Sequence, residues 1–117
     1  NRDTSSPIKT SSHFIEAVQA GDIDRAYSLT SQNFKKESTK EDLEELTNTV
    51  WSLLPQTEPH FAQQMSGKEG TRVVANWPRS DNIVLNLVVL LEEEEGWRVK
   101  GANLEIVDGS KETPLLR

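Results

Sequence analysis

The alternation of apolar and polar residues is most regular near the end of the chain. An apolar run from Ile83 to Leu91 is followed by a polar turn, Glu92 to Gly96, and by a second apolar segment that begins at Trp97. Two apolar segments joined by a short polar turn predict a β-hairpin. Because side chains alternate along a strand, one face of the first strand would carry Ile83, Leu85, Leu87, Val89 and Leu91, and the other Val84, Asn86, Val88 and Leu90. We expect both faces to be covered, one by helices and the other by the sheet folding on itself, a ligand or a second subunit.

The second strand of this hairpin changes phase part-way along. Trp97 and Val99 would share one face, whereas the later apolar pair, Leu104 and Ile106, is out of step with them. Gly101 lies between the two pairs, and a glycine bulge there would return both pairs to the same face and bend the strand. We therefore predict a bulge at Gly101.

Helical spacing dominates the first half of the chain. It predicts one helix from about Ser11 to Gly21 and a short second helix capped by Asp22. A capping box over residues 38–41 would open a third helix, which Pro55 would stop. The apolar stripe of that third helix would consist of Leu43, Leu46, Val50 and Leu53.

Two further strands are indicated between the helices and the hairpin, a weak one at residues 60–65 and a clearer one at residues 71–77. We therefore predict an α+β fold, in which N-terminal helices pack on a curved antiparallel sheet of about four strands. Residues 1–10 would form a flexible linker, 11–107 a single domain and 108–117 a polar tail. The predicted core includes Phe14, Val18, Leu46, Val50, Leu85, Leu87 and Trp97.

Composition limits the possible partners and compartments. The chain has 117 residues, and 19 acidic against 13 basic side chains give a net charge of −6. This balance argues against nucleic acid or an anionic lipid surface as the main partner. There is no cysteine, which excludes disulfides and thiol chemistry. The chain begins at Asn1 rather than Met, so we expect an upstream signal peptide, transit peptide or anchor, and an extracytoplasmic or membrane-tethered location.

Two short motifs carry a family resemblance. Residues 14–27, FIEAVQAGDIDRAY, form a helix, a Gly-Asp pair and a second helix, and residues 95–99, EGWRV, form the end of a hairpin. Both resemble the nuclear-transport-factor-2-like (NTF2-like) superfamily, whose fold is also called the cystatin-like roll, and the resemblance extends over residues 11–107. It implies a cone-shaped α+β fold. It does not by itself decide the function, because members of the superfamily include isomerases, dehydratases and pure binding modules.

The sequence offers no strong catalytic or metal-binding pattern. His13 and His60 lack the spacing of a metal pair, although His60 could act as an acid–base group if it bordered the interior of the cone. Asp22 and Asp24 are typical of a helix start, and the glutamates of residues 92–95 are typical of a solvated turn. We therefore predict no catalytic residue, no metal and no cofactor.

Two functional hypotheses remain open. The first is a non-catalytic domain that binds a protein partner or a second copy through the open face of its sheet; its interface candidates are Leu85, Val88 and Leu90. The second is a pocket for a small apolar ligand, of isomerase or dehydratase type; its lining candidates are Tyr27, Trp51, His60 and Trp77. A filled interior would favour the first hypothesis, and an ionisable group in a cavity would favour the second.

Overall fold

A computed structural model describes residues 6–49, 51–67, 70–78 and 83–108 of the chain. Its helices come first and its strands afterwards. The helices are α1 (Pro7–Ala20), α2 (Ile23–Ser28), α3 (Gln32–Glu37), α4 (Lys40–Asn48) and a short 3-10 helix (Trp51–Leu53). The strands are β1 (His60–Gly67), β2 (Gly70–Pro78), β3 (Ile83–Glu93) and β4 (Trp97–Asp108).

The four strands form one open antiparallel sheet in the order β1-β2-β3-β4, and the α-helices pack against one face of it. This arrangement confirms the predicted α+β fold. We call the face turned away from the helices the outer face. The buried core between helices and sheet contains Phe14, Ile15, Val18, Leu29, Leu43, Trp51, Leu54, Val73, Trp77, Leu85, Leu87, Val89, Leu91 and Val99.

The β3–β4 hairpin is built as the sequence pattern indicates. Leu91 pairs with Val99 whereas Leu90 pairs with Gly101, so Lys100 is the additional residue of a bulge. The bulge restores the phase of β4, because Leu104 then packs on the same side as Val99. The predicted bulge between the two apolar pairs is confirmed, but its additional residue is Lys100, the neighbour of Gly101.

Helix α1 begins earlier than the apolar spacing suggested. Ser6 caps it by accepting a hydrogen bond from the backbone N–H of Lys9 at 3.2 Å, and Pro7 occupies the first turn. Thr10 is buried, and its hydroxyl donates to the backbone carbonyl of Trp97 at 3.3 Å. Residues 7–10, which were predicted to be part of a linker, therefore form the first turn of α1 and pack on β4. Residues 1–5 and 109–117 lie outside the described residues.

Helix α4 is shorter than predicted. Its capping box is formed by Thr39 and Asp42 and not by residues 38–41, and the helix ends at Asn48. Two threonine hydroxyls near its end bond backwards to carbonyls: Thr47 to Leu43 at 2.8 Å, and Thr49 to Glu45 at 2.6 Å. Such bonds compete with the helical pattern and favour a helix end.

Because α4 ends at Asn48, the residues after it do not follow the predicted helical spacing, and different apolar side chains are buried. Trp51 and Leu54 enter the core, whereas Leu53, which helical spacing predicted to be buried, is 56% exposed. Leu46 and Trp97 pack against the core but are only partly buried, and Val50 lies outside the described residues. Phe14, Val18, Leu85 and Leu87 are buried as predicted.

Helix α3 is an element that the sequence did not predict. Two hydrogen bonds join the start of α3 to the hairpin formed by β3 and β4. The backbone N–H of Gln32 donates to the Glu94 carboxylate at 3.3 Å, and the side-chain amide of Asn33 donates to the Glu92 carboxylate at 3.0 Å. Negative charge at a helix start is stabilising. The glutamates that looked like a purely solvated turn thus hold α3 against the hairpin.

Candidate functional site

The two buried tryptophans among the pocket candidates are part of the core. Trp51 is 3% exposed and lies edge-on to Phe14, with 5.8 Å between the ring centres. Trp77 is 2% exposed, and its indole N–H donates to the backbone carbonyl of Thr57 at 2.8 Å. Both rings pack in the buried core between the helices and the sheet.

The other two pocket candidates lie elsewhere. Tyr27 is partly buried, and the Lys35 ammonium is 5.2 Å from the centre of its ring. His60 pairs with Asn76, and this register places it exposed on the outer face, while its neighbour Phe61 faces the helices. The structure does not bring the four candidates together around one cavity.

A groove lies between α1 and the segment that leads into β1. It has a volume of about 250 Å³ and mixed polar and apolar walls. We call it the α1 groove; its lining is Ser12, Ile15, Glu16, Gln19, Gln56, Thr57, Glu58, Pro59 and Phe61. The side-chain amide of Gln19 fixes one wall, because it donates to the carbonyls of Pro55 at 2.7 Å and Thr57 at 3.0 Å.

The charged groups of the α1 groove are two carboxylates, those of Glu16 and Glu58. Glu16 is already engaged, because Arg25 contacts it at 3.2 Å and His13 at 3.8 Å. Across the described residues, no three His, Asp or Glu side chains are grouped so that they could hold a metal ion. The α1 groove thus combines two carboxylates with the apolar side chains of Ile15 and Phe61.

The outer face carries two rows of side chains that run across neighbouring strands. An apolar row joins Ala62, Val74 and Val88 through the strand register. Beside it, a polar row joins His60, Asn76, Asn86 and Glu105. The side-chain amide of Asn76 donates to that of Asn86 at 2.8 Å, which ties β2 to β3 on this face. The outer face is therefore amphipathic.

The three interface candidates of the sequence divide between the two faces. Leu85 faces the helices and is 2% exposed. Val88 is on the outer face but only 6% exposed, and its paired neighbours on either side are Val74 and Asn103. Leu90 is on the outer face and 39% exposed. Of the three, Leu90 has the most side-chain surface available to a partner.

The helices on one face of a four-stranded antiparallel sheet define an NTF2-like α+β domain, as the two sequence motifs implied. A model of the family described as the NTF2-like N-terminal transpeptidase domain (MecA_N) matches residues 6–77, and the chain belongs to this family. No curated protein matches it.

A solved structure supports the same fold. The crystal structure of a protein from Sphaerobacter thermophilus is similar with a TM-score of 0.56 at 12% sequence identity, and the similarity covers 88% of this chain and 97% of that one. Within the described residues, none of the helices combines the length and apolar character needed to span a bilayer.

Proposed function

We propose that the chain is a non-catalytic protein-binding domain. The observation that carries the proposal is the composition of the core: the buried polar side chains of the described residues are all serines and threonines, and no Asp, Glu, His, Lys or Arg is buried among them. Acid–base catalysis in a fold of this kind needs an ionisable group placed in a cavity. An interior of packed apolar side chains favours binding at the surface.

The surface that we assign to binding is the part of the outer face around Leu90. Leu90 is exposed, and the apolar row that contains Val74 and Val88 lies next to it in the sheet. The partner that we propose is a transpeptidase catalytic domain, because the family is described as the N-terminal domain of such proteins. An amphipathic face suits contact with another folded domain better than contact with a small molecule.

A small-ligand function has weaker support. The α1 groove would be its site, and its volume of about 250 Å³ is below the roughly 300–1,000 Å³ of most ligand pockets. Its two carboxylates lie at the solvated rim, and Glu16 is already paired with Arg25.

The protein-binding proposal can be tested by titrating the isotopically labelled chain with a purified transpeptidase domain encoded in the same genome. Amide signals near Leu90 and Val74 should shift, and Leu90→Asp should weaken the binding about tenfold or more, because a charge replaces an apolar contact. Leu53→Asp is the matched control, since Leu53 is also an exposed leucine but lies outside the sheet. Shifts confined to the α1 groove, or no shifts, would overturn the proposal.

A further inference from the structure

Strand β4 is an edge of the sheet, and among the described residues only its first part is covered by another segment. The backbone N–H of Val99 donates to the carbonyl of Leu29, and the N–H of Ser31 donates to the carbonyl of Val99, both at 2.8 Å. From residue 101 to residue 107, no other described segment pairs with the outward edge of β4. A strand edge of this length is a template for a further strand.

The direction of the free backbone groups follows from the bonds of Val99. Its N–H and C=O point away from β3, and it pairs with Leu91 on the core side of β3. In an antiparallel pair, residues on one face of a strand have their backbone groups in the same direction. Ala102, Leu104 and Ile106 pair with β3 residues of that same face, so their N–H and C=O groups also point outwards.

The side chains along this edge are mostly apolar. Ile106 is 62% exposed on the core side and Val107 is 45% exposed on the outer side. Glu105 is the one charged residue between positions 101 and 107. The exposed edge strands of β-sheets are usually protected by charged residues, prolines or a covering segment. This stretch of β4 has little such protection, which favours a specific pairing partner.

We propose that β4 pairs antiparallel with β4 of a second copy of this chain, centred on Leu104. In this register Leu104 lies opposite its own counterpart, Ala102 lies opposite Ile106, and Asn103 lies opposite Glu105. The apolar pairs fall on one face, and no like charges are opposed between residues 101 and 107. The arrangement is two-fold symmetric and joins the two sheets into one of eight strands.

Neighbouring registers are less favourable. Centring the pair on Glu105 would place two carboxylates directly opposite each other. Centring it on Asn103 would bring Val107 opposite Val99, whose outward backbone groups are already bonded to Leu29 and Ser31. The free stretch from 101 to 107 is itself symmetric about Leu104, so that register uses all of it.

The pairing can be tested by sedimentation of Ile106→Pro beside Ile106→Thr. Proline removes an outward N–H that takes no part in the β3 ladder, whereas threonine keeps it. Each dimer would lose two hydrogen bonds with proline, so its association constant should fall about tenfold or more relative to threonine. Equal association of the two variants, or a wild-type chain that stays monomeric up to about 1 mM, would overturn the proposal.

A cysteine variant tests the register directly, and it keeps the proposal falsifiable should the proline variant fail to fold. The chain contains no cysteine, so Leu104→Cys can form a disulfide only with a second copy. The Cα atoms of a hydrogen-bonded antiparallel pair are about 5.5 Å apart, which suits a disulfide. Leu104→Cys should therefore form covalent dimers under mild oxidation, and the control Leu53→Cys should not; equal crosslinking would refute the register.

This inference is independent of the proposed binding function, because it uses the edge of the sheet and not the outer face. Leu90→Asp should leave self-association unchanged, and Ile106→Pro should leave the outer face intact for a transpeptidase domain. Failure of one proposal can thus be distinguished from failure of the other.

Discussion

Replacing Gly70 by alanine should destabilise the domain more than the same change at Gly21 or Gly101. Gly70 opens β2 with a φ of 121°, a conformation that side chains rarely adopt. A Cβ atom there would overlap the backbone carbonyl oxygen of Leu91 and lie 3.1 Å from its carbonyl carbon. The obstacle is backbone in the middle of the sheet, so it cannot rotate aside as a side chain would.

The cost has two parts. Holding alanine at this φ costs about 1–3 kcal/mol, and moving β3 away from Gly70 weakens ladder hydrogen bonds near the Thr71–Leu91 pair, each worth about 1 kcal/mol. We expect Gly70→Ala to lower the free energy of unfolding by about 3–5 kcal/mol. Urea denaturation followed by circular dichroism measures this loss.

Two other glycines serve as matched controls for Gly70. Gly21 ends α1 with a φ of 73°, and no atom lies within 4 Å of the position that a Cβ would occupy there, so Gly21→Ala should cost only about 1–2 kcal/mol. Gly101 has an ordinary φ, and the nearest neighbour of an added Cβ would be 4.0 Å away, so Gly101→Ala should change stability by less than about 0.5 kcal/mol. A Gly70→Ala loss no larger than that of Gly21→Ala would refute the assigned overlap.

The remaining predictions concern burial, charge and the groove. Leu87→Ala should cost about 2–5 kcal/mol in the same denaturant assay because Leu87 is fully buried, whereas Leu90→Ala should cost less than about 1 kcal/mol; equal losses would contradict the assigned faces. Glu94→Gln should lower stability by about 0.3–1 kcal/mol, less so in 1 M salt, because Glu94 accepts a bond from the start of α3, and the neighbouring change Glu95→Gln should not. Gln19→Ala should speed amide exchange in residues 57–61, and unchanged exchange would show that this side chain does not fix the groove wall.

The β-hairpin could be predicted from the sequence because its signals are local. The alternation from Ile83 to Leu91 assigns each side chain to a face, and the phase error between Val99 and Leu104 requires an added residue. Gly101 is the residue of that interval that tolerates a bulge most easily. The structure differs from this pattern in the extent of burial and in the additional bulge residue, which is Lys100.

Helix α3 could not be predicted because its support is distant in sequence. Its six residues contain one buried apolar side chain, Phe34, so no apolar stripe appears. The contacts that hold its start come from Glu92 and Glu94, about sixty positions away along the chain. Only the folded hairpin brings those carboxylates to the helix.

The candidate site was predicted least well, since it depends on how a loop passes over a helix. Residues 55–59 have no regular pattern, and the bond of Trp77 to Thr57 helps to fix their path. One signal was present: Ser12, Ile15 and Gln19 recur at helical spacing and form one stripe of α1. Two of the three side chains in that stripe are polar, which is typical of a helix surface that is partly exposed to solvent.

An apolar side chain on the outer face can be covered by a partner or by its neighbours in the sheet, and Val88 is an example of the second case. Val88 is 6% exposed although no helix covers it, and the side chains paired beside it are Val74 and Asn103. A strand that is apolar on both faces therefore does not by itself require a second layer, because part of its outer side is covered within the sheet. In the described part of the sheet, the exposed large apolar side chains are Leu90 on β3 and Ile106 and Val107 near the end of β4. The proposed binding at the outer face and the proposed pairing at the edge thus involve different residues, so the two proposals are compatible with each other.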